Sequence, residues 1–538
     1  MREYLYFDCN ASFGPYLRKP REARWSKTHL IEDLDLAGIA GALVYHRLAE
    51  AYDPMLANLK LMEEIDSDRN RLFPCWVAMP SVSGEFPSVG EFTGLMETHD
   101  VRAVRLHPEH YGVPIQEQVW GELRDALLGR DILCVLPAPA YGGALTSVDR
   151  LLSIFRENKT LLVNHVWGQW KQVVLLMDAY PNLHIEFSQF QANRAIEYFT
   201  QQYGAERCLI GTGLPEKAPG AARGFLDFTL TSEAQLVAGE NLRRLLGGQG
   251  PTRIPDPGPW HDAITEAARS GQPIPCPVLD AHCHILHDGG TVTGRERVAL
   301  GGDADRMIEL TRRTGIDKTA IMSWAGPLSM DSDLGNEVVA KAVARYPDEF
   351  IGLVTINPEY DDEEKIEATI QKYHVELGFP GLKTFAACQT IDYDDPLFDR
   401  WFQFGNDHHL YLVLDSRGDA RADRCVRNLA ERYPHLGLHL DHCGRGWAYA
   451  RWAVSVMADY DNVWGQLNYT LVTNGVIEYM VEQVGAERLL FGTDAPMRDP
   501  RPQAGWLVFT RLSEEDKRKI FGGNFAGILR RAGVEVEV

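Results

Sequence analysis

The sequence predicts an α/β protein of two tandem (β/α)8 (TIM) barrels, on three observations. Its 538 residues are too many for one ordinary core. Short β-prone runs alternate with polar, helix-periodic stretches, the pattern of βα units around a parallel sheet. The second half also repeats the first, segment by segment.

In the first half the predicted strands begin within Tyr4 to Gly14. They continue at Ile39 to Tyr45, Phe73 to Met79, Val101 to Leu106, Ile132 to Leu136, Thr160 to Val163, Leu183 to Phe187 and Cys208 to Ile210, a set of eight. Stretches such as Val148 to Asn158 and Trp170 to Tyr180 supply helices between them. A Pro/Gly-rich passage from Gly247 to Pro259, a short helix within Trp260 to Arg269 and a second breaker stretch from Gly271 to Pro277 mark the boundary. The expected division is a first barrel over residues 1–250, a linker over 251–276 and a second barrel over 277–538. Each half then has close to the roughly 250 residues of one such barrel.

The repeat aligns Gly204-Ala205-Glu206-Arg207 with Gly485-Ala486-Glu487-Arg488, and Ile210-Gly211-Thr212-Gly213 with Phe491-Gly492-Thr493-Asp494. Phe7-Asp8 matches Leu279-Asp280, and Ala103-Val104-Arg105 matches Gly381-Leu382-Lys383. Asn164-His165 is paired with Asp441-His442, and Gly239-Glu240-Asn241 with Gly522-Gly523-Asn524. The mismatches carry the chemistry. His282 and His284 of Asp280-Ala281-His282-Cys283-His284 correspond to Asn10 and Ser12, and Asp494 corresponds to Gly213. Residues i and i+2 of a strand share a face, so the two histidines can point together into a barrel mouth, half of a metal site. His442 and Asp494 each follow an apolar strand-like run. The first barrel is expected to lack a metal. His439, three residues before His442, is expected on the opposite face, toward the helices, and Cys283 is expected to face outward.

These motifs make the second half, from Pro277 to about Ala532, resemble the amidohydrolase-related (amidohydrolase-2) family of the amidohydrolase superfamily. The resemblance rests on Asp280 to His284, Gly381-Leu382-Lys383, His442-Cys443-Gly444, Gly492-Thr493-Asp494 and Gly523-Asn524. It implies a barrel with one divalent metal, zinc or manganese, and does not choose the reaction, since the family holds hydrolases, lactonases, hydratases and decarboxylases. It further implies metal ligation by His282, His284 and Asp494, with Asp494 as proton shuttle and His442 acting on substrate or bound water. The family's strand-five histidine is Asp415 here, a carboxylate that can complete the shell and favours harder cations. Lys383 is expected to hold an anionic part of the substrate; a carboxylated, metal-bridging Lys383 or a salt-bridged barrel lysine are the alternatives.

The leading expectation is a metal-dependent hydrolase of an amide, lactone or related bond in a small anionic substrate. Non-oxidative decarboxylation of an aromatic or unsaturated acid is the alternative, and a non-catalytic scaffold or binding protein the third. A net charge of −21 argues against nucleic acid and anionic lipid. No apolar run reaches the roughly 18 residues of a membrane span. Nine scattered cysteines without Cys-x-x-Cys suit a reducing, cytoplasmic setting. The duplication suggests an intramolecular pseudo-dimer, with further homo-oligomers open. In it the loop Val166 to Lys171 would approach the second site.

Overall fold

The computed structural model describes residues 4–139, 142–229, 233–256, 258–293, 297–385, 388–469 and 471–536. The chain divides into two compact units, Met1–His261 and Asp262–Val538. Within the passage read as a linker, helix Ala263–Arg269 joins the second unit. Its cap Asp262 accepts from Lys517 Nζ at 2.7 Å, and Arg518 Nη1 donates to the Pro275 carbonyl at 2.9 Å.

The first unit holds eight parallel strands: β1 Phe7–Phe13, β2 Gly41–His46, β3 Leu72–Ala78, β4 Ala103–Leu106, β5 Leu133–Pro137, β6 Thr160–Val163, β7 Leu183–Glu186 and β8 Cys208–Leu209. They pair in chain order. The ends meet where Cys9 N–H donates to the Ile210 carbonyl (3.0 Å), Gly213 to Asn10 (2.9 Å) and Ser12 to Leu214 (2.9 Å). Phe7, Leu43, Phe73, Val77, Leu133, Val135 and Leu161 fill the core with Leu242 and Leu245 from the last helix of the unit.

The second unit repeats this frame with β9 Leu279–Ile285, a small β10–β11 ribbon (Val292–Thr293, Arg297–Val298), then β12 Lys318–Ser323, β13 Phe350–Thr355, β14 Gly381–Thr384, β15 Tyr411–Leu414, β16 Gly437–Leu440, β17 Val463–Leu467 and β18 Leu489–Phe491. Thr493 and Asp494 N–H groups donate to the His282 carbonyl (3.1 and 2.8 Å), and His284 N–H to Ala495 (2.6 Å). A one-residue slip between Asp280 and Cys283 re-aims β9. Leu279 and Ala281 therefore pack in the core, while His282 and His284 reach the C-terminal mouth. Among the described residues no helix is long and apolar enough to cross a membrane.

Strand pairing corrects the repeat at strand six. Leu162 lies beside Ile185 and Leu440 beside Gly465; Ile185 and Gly465 in turn lie beside the first residues of β8 and β18. Asn164 and His442 both take a left-handed φ of 61°. The counterpart of His442 is therefore Asn164, not His165. His165 aligns with Cys443 and packs against Phe190, ring centroids 4.7 Å apart. Sequence matching paired two polar–His dipeptides that stand one residue out of register.

Candidate metal centre

Every group of the site sits at or just past a strand C-terminus of the second barrel, where side chains face a shared mouth. His282 Nδ1 donates to Gln466 Oε1 at 2.9 Å, which fixes the ring and leaves Nε2 as a lone pair facing the mouth. His284 stacks on Trp324, centroids 4.1 Å apart, and its Nε2 lies 3.3 Å from that of His282. Asp494 Oδ1 is 3.0 Å from His284 Nε2 and 3.7 Å from His282 Nε2. Burial, with the charge of Lys383 next, pushes both imidazoles well below their ordinary pKa, so both are neutral. Two imidazole Nε2 atoms and a carboxylate oxygen thus converge within 4.8 Å, a donor set that fits a divalent cation.

Asp415 is not gathered with these three. It belongs to a neighbouring group with Asp441 and His442. His442 bridges the two groups: Nε2 lies 3.2 Å from Asp494 Oδ2, and Nδ1 lies 3.3 Å from both Asp415 Oδ1 and Asp441 Oδ1. Arg445 Nη2 approaches the same Nδ1 at 2.9 Å. Burial would raise the Asp415 carboxyl; the hydrogen bond with His442 and the charges of His442, Lys383 and Arg445 outweigh it and hold Asp415 well below the usual carboxylate range. His442 owes its position to its left-handed backbone, whose N–H donates to Asn468 Oδ1 at 2.8 Å.

Lys383 is buried, and its Nζ donates to Asp441 Oδ2 at 3.0 Å, leaving two N–H bonds for other acceptors. Arg498, four residues beyond Asp494, pairs with Asp494 Oδ2, and Arg445 reaches Asp415 at 3.5 Å. Three carboxylates and three cations therefore balance around the mouth. A cavity of about 260 Å³ meets the site at Asp415 and is otherwise lined by Tyr393, Ser416 and the charged Asp392, Arg417, Asp419 and Arg421 among others.

His439 departs from expectation. It is fully buried inside the barrel, its ring 4.8 Å from Tyr411 and 6.1 Å from Phe525. Its Nδ1 lies 3.3 Å from Gln466 Nε2. Alternation places His439 and Asp441 on the inner face of β16, and the left-handed turn at His442 breaks the odd–even rule on which the outward reading rested. Cys283 Sγ approaches the carbonyls of His284 and Ala495 at 3.4 and 3.3 Å.

Asp441, Gln466, Asn468, Arg445 and Arg498 were missed from sequence. Alternation beyond β16 and β17 could have found the first three. Neither arginine carries a sequence signal of its own.

The first barrel presents a different rim. Asn10 Nδ2 donates to Asn164 Oδ1 at 2.8 Å, so the counterparts of His282 and His442 hydrogen bond to each other. Gly213 stands where Asp494 stands, and Pro137 where Asp415 stands.

The amidohydrolase family model matches residues 279–531, the whole of the second barrel. The gamma-resorcylate decarboxylase of Polaromonas sp. (strain JS666 / ATCC BAA-500) is 25% identical over 291 residues, 42% of this chain and 87% of the relative. That of Rhizobium radiobacter is 24% identical over 240 residues, 34% of this chain and 71% of the relative. Among solved structures, 5-carboxyvanillate decarboxylase from Sphingomonas paucimobilis aligns with a TM-score of 0.40 at 18% identity, covering 47% of this chain and 99% of its own. The second barrel is thus similar to the amidohydrolase family over residues 279–531.

Proposed function

We propose that the second barrel is a metal-dependent decarboxylase of a small aromatic or unsaturated carboxylic acid. The observation that carries this reading is that the relatives matched over 71% to 87% of their own length are gamma-resorcylate decarboxylases. It favours decarboxylation over the hydrolysis expected from sequence. The charge balance supports it: with protein charges matched three against three, a bound divalent ion leaves an excess of positive charge for an anion with two oxygen donors, such as a carboxylate beside a hydroxyl.

His282, His284 and Asp494 would hold the ion, which supplies Lewis-acid attraction for the substrate's oxygens. Lys383, desolvated and tethered by Asp441, offers its remaining N–H bonds to an anionic oxygen and fixes the acid in the mouth. Loss of CO2 breaks one C–C bond and leaves its electron pair on the ring carbon, which must take a proton. The pair His442 Nε2–Asp494 Oδ2, 3.2 Å apart, is the place to hold that proton. Asp415 and Arg445 on the opposite ring nitrogen orient His442 and set which nitrogen carries it.

The test is product analysis with manganese- or zinc-loaded protein. Hydroxybenzoic acids should release CO2 and yield the corresponding phenols. Cleavage of lactones or amides with no CO2 from any aromatic acid would return the assignment to hydrolysis.

A further inference from the structure

The two barrels differ in which half of each ion pair they keep. In the second, Lys383 is matched by Asp441 and Arg498 by Asp494. At the same places the first has Arg105 with Val163, and Lys217 with Gly213. The bases remain without those partner acids; the rim's own carboxylate, Glu186, stands where the second barrel has Gln466, and Glu216 beside Lys217 pairs with Arg47 at 2.9 Å.

Among the described residues, no ion pair joins Arg105 or Lys217 to a carboxylate. Arg105 is only 3% exposed. Its Nη1 donates to Asn10 Oδ1 at 3.3 Å, its Nε points at His107 Nε2 at 3.2 Å, and its guanidinium lies 4.5 Å over the Tyr45 ring. These contacts are neutral: burial, then the charge of Arg105, drives the His107 pKa well down. The Lys217 stem runs 3.1 Å from where a Gly213 Cβ would stand, over the spot the Asp494 side chain leaves from in the other barrel. The nearby Glu186 is occupied, accepting from the backbone N–H groups of Ser188 and Asn164 and from the Ser188 hydroxyl, and no ion pair joins it to either base. Asn10, Ser12, Asn164 and Gln189 add uncharged hydrogen-bonding groups to the same rim. At the ends of β4 and β5 a cavity of about 380 Å³ meets this rim at His107, which touches Arg105; its lining mixes the polar Glu109, His110 and Ser147 with the apolar Leu106, Pro137, Val148 and Leu151.

A buried cation without a counter-charge is unfavourable unless an anion completes it. We propose that the first barrel is a metal-free binding site for a small organic carboxylate, its anionic end held by Arg105 and Lys217 and its carbon skeleton directed past His107 toward the apolar side of the adjoining cavity. Arg105 suits the planar, two-oxygen acceptor, and Leu106, Leu136, Val148 and Leu151 in the adjoining cavity offer a carbon skeleton contacts that inorganic phosphate would not use. The proposal does not depend on turnover in the second barrel.

Benzoate is the probe, titrated calorimetrically into the full chain, with 4-bromobenzoate located in crystals by bromine anomalous scattering. Saturable binding is expected, about tenfold or more weaker in Arg105→Gln and in Lys217→Gln. Part of it should persist in Lys383→Gln, which addresses the other mouth, and a bromine should lie beside Arg105. Arg105→Lys, which keeps the charge, should recover part of the affinity and serves if Arg105→Gln does not fold. Absence of saturable binding, binding abolished by Lys383→Gln yet untouched by Arg105→Gln and Lys217→Gln, or inorganic phosphate binding as tightly as benzoate would each overturn the proposal. A chain that binds benzoate through Arg105 but releases no CO2 from any acid would contradict the decarboxylase assignment alone.

Discussion

The two barrels are built on one frame and diverge at one rim. In both, a buried aspartate on the first strand ties that strand to the turn after the last: Asp8 accepts from Thr212 N–H and Asp280 from Thr493 N–H, each at 3.0 Å. In both, an asparagine caps two carbonyls around the last strand, Asn241 on Ala205 and Cys208, and Asn524 on Ala486 and Leu489. At the mouth the first barrel closes on itself through Asn10 and Asn164, whereas the second keeps imidazoles and carboxylates converging. The difference teaches that this frame closes without the imidazole and carboxylate groups that converge in the second barrel.

The comparison breaks most easily at Asp494. Asp494→Asn should lower turnover by roughly 10²–10⁴-fold, and further if the ion is lost, without unfolding the barrel, because Gly213 serves the same turn in the first copy. Full activity in folded, metal-loaded protein would remove Asp494 from the reaction. Next in size, Lys383→Met should raise KM for an anionic substrate by about 10–100-fold with a smaller change in kcat, since the lost interaction is a charge-assisted hydrogen bond. An unchanged KM would mean that Lys383 serves only Asp441.

The shared frame makes a symmetric prediction. Thr212→Val and Thr493→Val each strip a hydroxyl donor from a buried aspartate. Each should destabilise its own barrel by about 1–3 kcal/mol, read from denaturant unfolding resolved by unit. A large loss at one site and none at the other would show that the copies no longer share a closure. The smallest effect is expected at Asp415. If it orients His442, Asp415→Asn should cost about tenfold in kcat with full metal content. Loss of the metal would instead make it a ligand.

The frame was legible in sequence because alternating apolar runs and the Gly-Ala-Glu-Arg repeat depend only on local spacing. All eight strands of the first barrel lie within two or three residues of where they were read. The groups now gathered around His282, His284 and Asp494 were partly legible, because strand ends announce themselves. Strand six was not. A residue just beyond β16 turns into left-handed φ, and alternation stops predicting faces there; His439 was therefore read outward and His165 was matched to His442. Asp415 was read by its strand position, and the structure sets it against Nδ1 of His442. Arg498 went unseen because its role comes from a loop geometry that brings position i+4 back onto Asp494.

The central claim is that one barrel holds an ion and the other does not. A manganese-loaded crystal measured at the metal absorption edge tests it most directly. One ion per chain, contacted by His282, His284 and Asp494, is the predicted result. An ion at Asn10 and Ser12, or none in either barrel of intact, metal-supplemented protein, would contradict it.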